Sequence, residues 1–294
     1  MRLGTNVWPG YEPLYLARGL GYLDPDVIAL VEYGSASEVI RAFRNKSIEA
    51  AALTLDEVLL LLQHEIPVQV ILVTDVSNGG DVLLAAPGIT GFSQLRGRRV
   101  GVEASALGAY VISRALEKNE LSLEDITVVP LEVAEHESAY KNRRIDAIVT
   151  FEPARTRLLA MGMNELFSSK EIPGEIVDVL VVRRNYLDEY PQRAEHVAHA
   201  WFAALDYLNR YPRDAAQRMS TRLRMSTDEV LMSYRGLRLP DRQRNLALLG
   251  GPSPGGLIPV TARLQDVMLS KQLLRTELPI DALFTGAYVR PHNQ

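Results

Sequence analysis

The feature that most constrains this chain is an internal echo. AFRNKSIEAAAL at residues 42–53 and AYKNRRIDAIVT at residues 139–150 align without a gap. An alanine, an aromatic ring, a base, an asparagine, a second base, an isoleucine and an acid recur in order, and within that run only Ser47 opposite Arg144 breaks the match. A helix, an Asn cap and a buried strand would share part of this pattern in any protein. The acid before each strand, Glu49 and Asp146, is extra, and it favours a duplicated unit.

Around the echo, apolar spacing alternates between strand and helix. The first unit reads as strand RLGTNV, a helix over 12–20, strand VIALVEY, a helix over 35–45, strand AAAL, a helix over 56–64 and strand VQVILV. After Gly97 the order returns: RRVGV, a helix over 108–119, ITVVPL, a helix over 135–142, DAIVT and a helix over 153–161. Alternation of this kind predicts mostly parallel sheets covered on both faces, an α/β class. Past Ala160 the pattern changes. DVLVVR at 178–183 reads as one more strand, and from Pro191 onward the chain is helical, with breaks at PSPGG (252–256) and at prolines 212, 240, 259 and 279. The expected organisation is one lobe from residues 1–86 and 178–294 and a second from 87–177. Two crossings, near 85–91 and 172–178, make a hinge about a cleft. A length of 294 residues suits two domains.

A formal charge of −4 offers no basic excess for nucleic acid. The longest apolar runs, such as VQVILV, fall far short of the roughly 20 residues of a membrane-spanning helix. With no cysteine there is neither a disulfide framework nor a thiolate metal site. MRLGTNV already reads as a strand, so the expectation is a cytoplasmic protein or one whose export signal lies outside this sequence.

In open α/β sheets, ligands sit beyond the carboxyl ends of the strands, where helix N-termini aim free N–H groups at the gap. That rule selects residues 6–12, 34–38, 54–56, 75–81, 103–110, Glu132 and 150–153. In VWPGYEP, Pro9, Gly10 and Pro13 stiffen a loop whose rings, Trp8 and Tyr11, can wall a ligand; either ring can equally serve as hinge or core. In DVSNGGD, Asn-Gly is also a hairpin signal, so Ser77 and Asn78 read as turn or as ligand contacts. Ser105 opens a helix in EASALGAY, either as a plain cap or as part of a site for a polar acceptor. Acids dominate these strand ends: Glu12, Glu38, Asp56, Asp75, Asp81, Glu103, Glu132 and Glu152, against Arg155 alone. That balance suits a donor-rich or cationic ligand. Of the five histidines only His136 falls near a strand end, and His196 and His199 lack an HExxH frame. With no nucleophile elbow, phosphate loop or dinucleotide fingerprint, no catalytic residue, metal or cofactor is assigned.

VWPGYEPLYLARGLGYLD, TDVSNGGDVLLA, LRGRRVGVEASALGAYVISRALE and RRIDAIVTFEPA resemble the substrate-binding proteins of ABC importers in the nitrate, sulfonate and taurine group, which also holds binders of thiamine pyrimidine precursors. The resemblance implies a type II periplasmic-binding fold: two lobes, a hinge and an interlobe cleft, with the helical C-terminal region packed on lobe 1. It implies a monomer that captures a small solute by hinge closure and performs no chemistry, with a permease and its ATPase as partners. A periplasmic or lipid-anchored extracellular location follows, with the export signal outside this sequence. Carried over, ligand contacts fall on Trp8, Tyr11, Ser77, Asn78, Glu103, Ser105 and Glu152; the strand-end rule adds Glu12, Ser35, Thr54, Asp75 and Thr150. The acid-rich rim departs from sulfonate binders, which are expected to hold their anion with a helix start and small hydroxyls. The alternatives are an enzyme of the same fold acting on a pyrimidine precursor, with His136 or Glu152 as acid/base, and a sensing module fused to a signalling domain.

Overall fold

The structure, a computed structural model, describes residues 1–250 and 255–290. Its strands are β1 (Arg2–Thr5), β2 (Ala29–Glu32), β3 (Ala50–Thr54), β4 (Val68–Ser77), β5 (Asp81–Ala85), β6 (Arg99–Glu103), β7 (Thr127–Leu131), β8 (Ala147–Phe151), β9 (Asn164–Ser168), β10 (Val177–Arg183) and β11 (Leu237–Arg238). They form two mixed sheets, ordered β11-β4-β10-β3-β1-β2 and β7-β6-β8-β5-β9. Each holds a parallel trio, β2-β1-β3 in one and β7-β6-β8 in the other, followed by an antiparallel strand. β3, AAALT, is buried along its whole length, as a strand covered on both faces must be.

The echo has a structural meaning. Glu49 accepts from the Arg2 backbone N–H at 2.7 Å and pairs with its guanidinium; Asp146 accepts from the Arg99 N–H at 3.0 Å and pairs with that guanidinium. In both cases acid and arginine lie 47 residues apart, so the same staple ties β3 to β1 and β8 to β6. Lys46 and Arg143 occupy the same left-handed turn, with φ of 59° and 54°.

The helices are α1 (Glu12–Gly19), α2 (Ala36–Arg44), α3 (Leu55–Gln63), α4 (Ala106–Glu117), α5 (His136–Lys141), α6 (Ala154–Ala160), α7 (Arg184–Glu189), α8 (Pro191–Arg210), α9 (Pro212–Leu223), α10 (Thr227–Ser233), α11 (Arg242–Leu249) and α12 (Leu257–Ser270). The C-terminal helices pack on the first lobe: α8 and α9 lie against α1, α11 against β4 and α12 against α3. Pro212 and Pro259, expected to break helices, sit instead in the first turns of α9 and α12, where a missing N–H costs nothing. Residues 252–254 of the expected PSPGG break, and His292, lie outside the described residues. No helix among the described residues is long and apolar enough to cross a membrane.

One boundary moves. Residues 81–85, expected in the first lobe, form β5 and pair with β8 and β9 of the second sheet. The chain therefore crosses at Asn78–Gly80, not near 85–91, and Asn-Gly-Gly is a crossover and not a hairpin, because β4 and β5 belong to different sheets. The return crossing spans 169–176 between β9 and β10. The two crossings touch: Ser77 and Ser169 hydroxyls are 2.8 Å apart, and the Gly79 N–H donates to Ser169 Oγ at 2.6 Å.

Candidate functional site: the acid-lined interlobe cleft

The carboxyl ends of β1 and β3 and the amino end of antiparallel β10 in one sheet face the carboxyl ends of β6 and β8 and the amino end of antiparallel β5 in the other. The loop after β1 turns through a short helical turn at Pro9–Tyr11 and carries Trp8, only 4% exposed. The Trp8 indole N–H donates to Asp75 at 3.1 Å, and its ring meets Phe151 of the opposite sheet edge-on, with centroids 5.8 Å apart. Two glycines make room for it. A Cβ at Gly10 would fall 1.8 Å from Asp75 Oδ2 and 2.4 Å from Trp8 Nε1, and one at Gly80 would fall 2.7 Å from Trp8 Cη2. Tyr11, equally buried, donates its hydroxyl to Asp178, and Tyr234 Oη holds the Pro9 carbonyl at 2.9 Å.

Between the sheets lies a cavity of about 20 Å³, lined by Trp8, Tyr11, Thr54, Phe151 and four acids, with Asn6, Ala36 and Leu107 at its edges. The acids are Glu57 and Asp178 from the first lobe and Asp81 and Glu103 from the second. Asp56 and Asp75 are buried in the same electrostatic neighbourhood. That volume holds about one water. Two larger grooves lie elsewhere: one of about 690 Å³ on the helical C-terminal region among residues such as His199, Phe202 and Arg242, and one of about 600 Å³ beside the crossings, lined by Ser77, Asn78, Gly174, Val177 and Arg244 among others.

No base neutralises these six carboxyls among the described residues. Glu57 takes the Thr54 N–H at 3.1 Å and Glu103 the Ser105 hydroxyl at 3.3 Å. Glu57 Oε1, Asp81 Oδ2 and Glu103 Oε1 have no partner, although the three residues are 1%, 3% and 5% exposed. Burial, reinforced by like charge, pushes Asp75 up to about 8 and Asp81 and Glu103 to about 7. Burial raises Asp56 to about 6, and it lifts Glu57 and Asp178 well above the carboxylate range. Near neutral pH, Asp75, Glu57 and Asp178 favour their neutral forms in this arrangement, Asp81 and Glu103 are divided between the two forms, and Asp56 is mostly ionised. No group of three His, Asp or Glu side chains is placed to hold a metal ion among the described residues.

Of the twelve residues expected to touch ligand, Trp8, Tyr11, Thr54 and Glu103 line the cavity, and Asp75 stands behind Trp8. The others have partners elsewhere. Glu12 pairs with Arg222, although burial still pushes it up to about 7. Ser35 caps α2, accepting from the Glu38 N–H, and Ser105 caps α4, accepting from Gly108 N–H at 3.1 Å. Ser77 bonds Ser169 in the crossing, and the Asn78 N–H donates to the Gly236 carbonyl at 2.8 Å. Thr150 Oγ1 lies 3.1 Å from His136 Nδ1, and burial lowers His136 to about 4. Glu152 accepts from Arg155 at 3.0 Å and from the N–H and hydroxyl of Thr156 at 3.1 and 3.0 Å. Glu57 and Asp178 line the cavity without having been expected there; Asp81 and Phe151 also line it, and both fall in segments chosen by the strand-end rule though neither is among the twelve. The available signal for Asp178 is an acid leading an apolar strand, and for Glu57 an acid three residues past a capping Thr.

Two mixed sheets of this order, with helices on their faces, form the periplasmic-binding-protein fold. The chain belongs to the NMT1-like family, whose model matches residues 1–224. No curated protein sequence matches the chain. The alkanesulfonate-binding protein SsuA from Xanthomonas axonopodis pv. citri, bound to MOPS, superposes with a TM-score of 0.79 at 16% identity over 95% of each chain. The ligand-binding component of an ABC-type import system from Staphylococcus aureus, with zinc bound, gives 0.80 at 15% identity over 98% of this chain and 97% of that one. The desulfurization enzyme DSZB, as a point mutant in complex with biphenyl-2-sulfinic acid, gives 0.69 at 17% identity over 98% and 97%.

Proposed function

We propose that this chain is a solute-binding protein that closes its lobes over a small organic solute carrying positive charge, and that it returns the solute unchanged. One observation carries the reading: Trp8 and Phe151, from opposite sheets, meet over a cavity whose acids come from both lobes and pair with no base among the described residues. A planar or apolar solute separates the two rings and takes the place of their mutual contact, while its charge answers the carboxyls. An amine or a protonated pyrimidine fits this lining better than a sulfonate, taurine or nitrate, because burying an anion among carboxyls adds like charge where none is compensated. The named neighbours support a role in an ABC importer, with a permease and ATPase as partners and a periplasmic or lipid-anchored location. A fused signalling domain would use the same closure.

The lobe limits that accompany this reading are 1–77 with 177–294 and 81–168, and the working unit is a monomer. The test is thermal shift of the whole chain against sulfonates, amines and heterocycles, followed by mass analysis of the recovered compound. An amine that stabilises the protein and is recovered intact supports the proposal. A stabilising sulfonate would overturn the charge assignment, and a converted compound would overturn the binding role.

The DSZB neighbours keep an enzyme as the second reading, since they place chemistry on this fold. Its proposed acid/base residues, His136 and Glu152, are held by Thr150 and by Arg155 with Thr156, and neither lines the cavity. This favours binding.

A further inference from the structure

The cavity in the cleft is one space of about 20 Å³, the room of about one water, and acids of both lobes share it. Glu57 and Asp178 reach it from the first lobe, Asp81 and Glu103 from the second. They act on one another across the gap: after burial, Glu103 is among the charges that raise Glu57, and Asp81 is among those that raise Asp178. Glu57, Asp81 and Glu103 are each at most 5% exposed, and each keeps one oxygen without a partner, Oε1, Oδ2 and Oε1. An ionised carboxylate only accepts, so whatever satisfies these oxygens brings donors and positive charge. A water brings too few donors and no charge. A metal ion bonds to oxygen at about 2.0–2.6 Å and needs its ligands drawn closer than these, since no three are placed to hold one among the described residues. A charged N–H reaches its acceptor at about 2.7–2.9 Å, and a primary ammonium carries three such donors on one centre. A quaternary ammonium has the charge without the donors, and its methyl groups exceed the space.

Resting on the solute-binding reading above, we infer that the solute carries one primary ammonium as its head, held in the shared cavity by Glu57 from the first lobe and by Asp81 and Glu103 from the second. The N–H bonds of the head meet the three unpartnered oxygens, and Asp178 adds charge. The organic remainder is too large for the cavity and lies against Trp8 and Phe151, which line it and part to admit the solute. Because one nitrogen takes acceptors from both lobes, its site is complete only when the lobes have met. Without solute, protons answer part of the same need. The groups that bear on the site are Glu57 and Asp178, with Asp56, Asp75 and the Tyr11 hydroxyl, on the first lobe, and Asp81 and Glu103, with Glu132, on the second. None of these is a base. The head therefore takes the place of protons, which leave the carboxyls for solvent while the ammonium stays protonated throughout.

The experiment is calorimetric titration of the whole chain at neutral pH with benzylamine, its N-methyl, N,N-dimethyl and N,N,N-trimethyl derivatives, benzyl alcohol, benzenesulfonate and ammonium chloride, in two buffers of different ionisation enthalpy. Benzylamine is expected to bind at least tenfold tighter than the trimethylated cation and than benzyl alcohol, with an apparent heat that differs between the buffers because protons are released. Glu103→Gln and Glu57→Gln are each expected to weaken benzylamine at least tenfold and the trimethylated cation little. Both replacements keep shape and remove charge, and ligand-free melting curves verify folding; the methylation series on the unaltered chain stands without them. A trimethylated cation binding as tightly as benzylamine overturns the donor requirement, and benzyl alcohol or the sulfonate doing so overturns the ammonium head, in each case leaving solute binding intact. Ammonium ion binding as tightly overturns the role of the rings, and equal heats in the two buffers overturn the exchange with protons. Binding of no compound of any charge overturns the solute-binding reading itself.

Discussion

The indole N–H of Trp8 donates to the buried carboxyl of Asp75 at 3.1 Å, while the same ring rests on Phe151 of the other lobe. One side chain thus meets Oδ2 of an acid in its own lobe, whose Oδ1 has no partner, and closes the gap to the next. Gly10 and Gly80 are the backbone positions that permit it, since a Cβ at either would strike the indole.

Replacing this ring separates its two duties. Trp8→Phe keeps most of the apolar contact and strips Asp75 of its donor, which lowers ligand-free stability by about 1–3 kcal/mol. Trp8→Ala leaves a cavity and costs roughly 3–5 kcal/mol. For the solute, Trp8→Ala is expected to weaken affinity by about tenfold or more, because roughly 1.5 kcal/mol of apolar contact is removed. Melting curves and titrations on both variants check this, and an unchanged ligand-free melting temperature for Trp8→Ala would show the ring to be a free wall.

The acids predict a response to pH. Carboxyls raised to about 6 (Asp56), 7 (Asp81, Glu103) and 8 (Asp75) prefer protons in the closed form. Their contribution is full below the ordinary carboxylate range and is lost as pH rises through 6–8. His136, lowered to about 4 from 6.5, works the other way: its contribution is present above 6.5 and falls as pH drops toward 4. Between pH 6.5 and 8.5 the cleft carboxyls are joined by Glu12, raised to about 7, and opposed by the Met1 amino group, lowered from 8.0; the several carboxyls outweigh the one amine, so the ligand-free protein should lose stability or open, and its radius of gyration by small-angle scattering should grow. Affinity for a cation should rise over the same interval. A radius and melting temperature flat across it would count against this account.

Glu152 gives a contrasting case. Both its oxygens are used, by Arg155 and by the start of α6 at Thr156, and it is 2% exposed. Glu152→Ala leaves a buried donor set unmet and is expected to destabilise by about 3–5 kcal/mol. Solute affinity, measured where the variant is folded, should change less than threefold.

At the hinge, Ser169→Ala removes the acceptor of the Gly79 N–H and the partner of Ser77 Oγ. A cost of about 1–3 kcal/mol is expected. Because the two crossings are no longer tied together, hydrogen exchange at 77–81 and 169–177 should quicken relative to the sheets. Unaltered exchange there would show that the pair does not restrain the hinge.

Much of this is legible in sequence, for reasons that differ by element. The parallel trios announce themselves because β1, β3, β6 and β8 are apolar runs between periodic helices, and the Glu49–Asp146 echo marks a unit that the Arg2 and Arg99 staples explain. β5 is misplaced because DVLLA carries no sign of which sheet will pair it; that choice is made by β8 and β9, far along the chain. β9, NELFS, and the two-residue β11 are too short and too polar to show a period. In the site, the rings and the excess of acid can be read from strand ends. What cannot be read is direction: Glu12, Ser77 and Glu152 share those ends with Glu103, yet each is turned to a partner contributed by a remote segment or by its own helix.

The order of the strands also bears on synthesis. β10 lies in the middle of the first sheet, hydrogen-bonded to β3 on one side and β4 on the other, and is made only after every strand of the second sheet. On a ribosome, residues 81–168 can complete their sheet while the first lobe still stands in two unjoined pieces, β2-β1-β3 and β4. The lobe that begins the chain therefore finishes last, and a nascent chain halted before residue 177 should show protease protection of the second lobe alone.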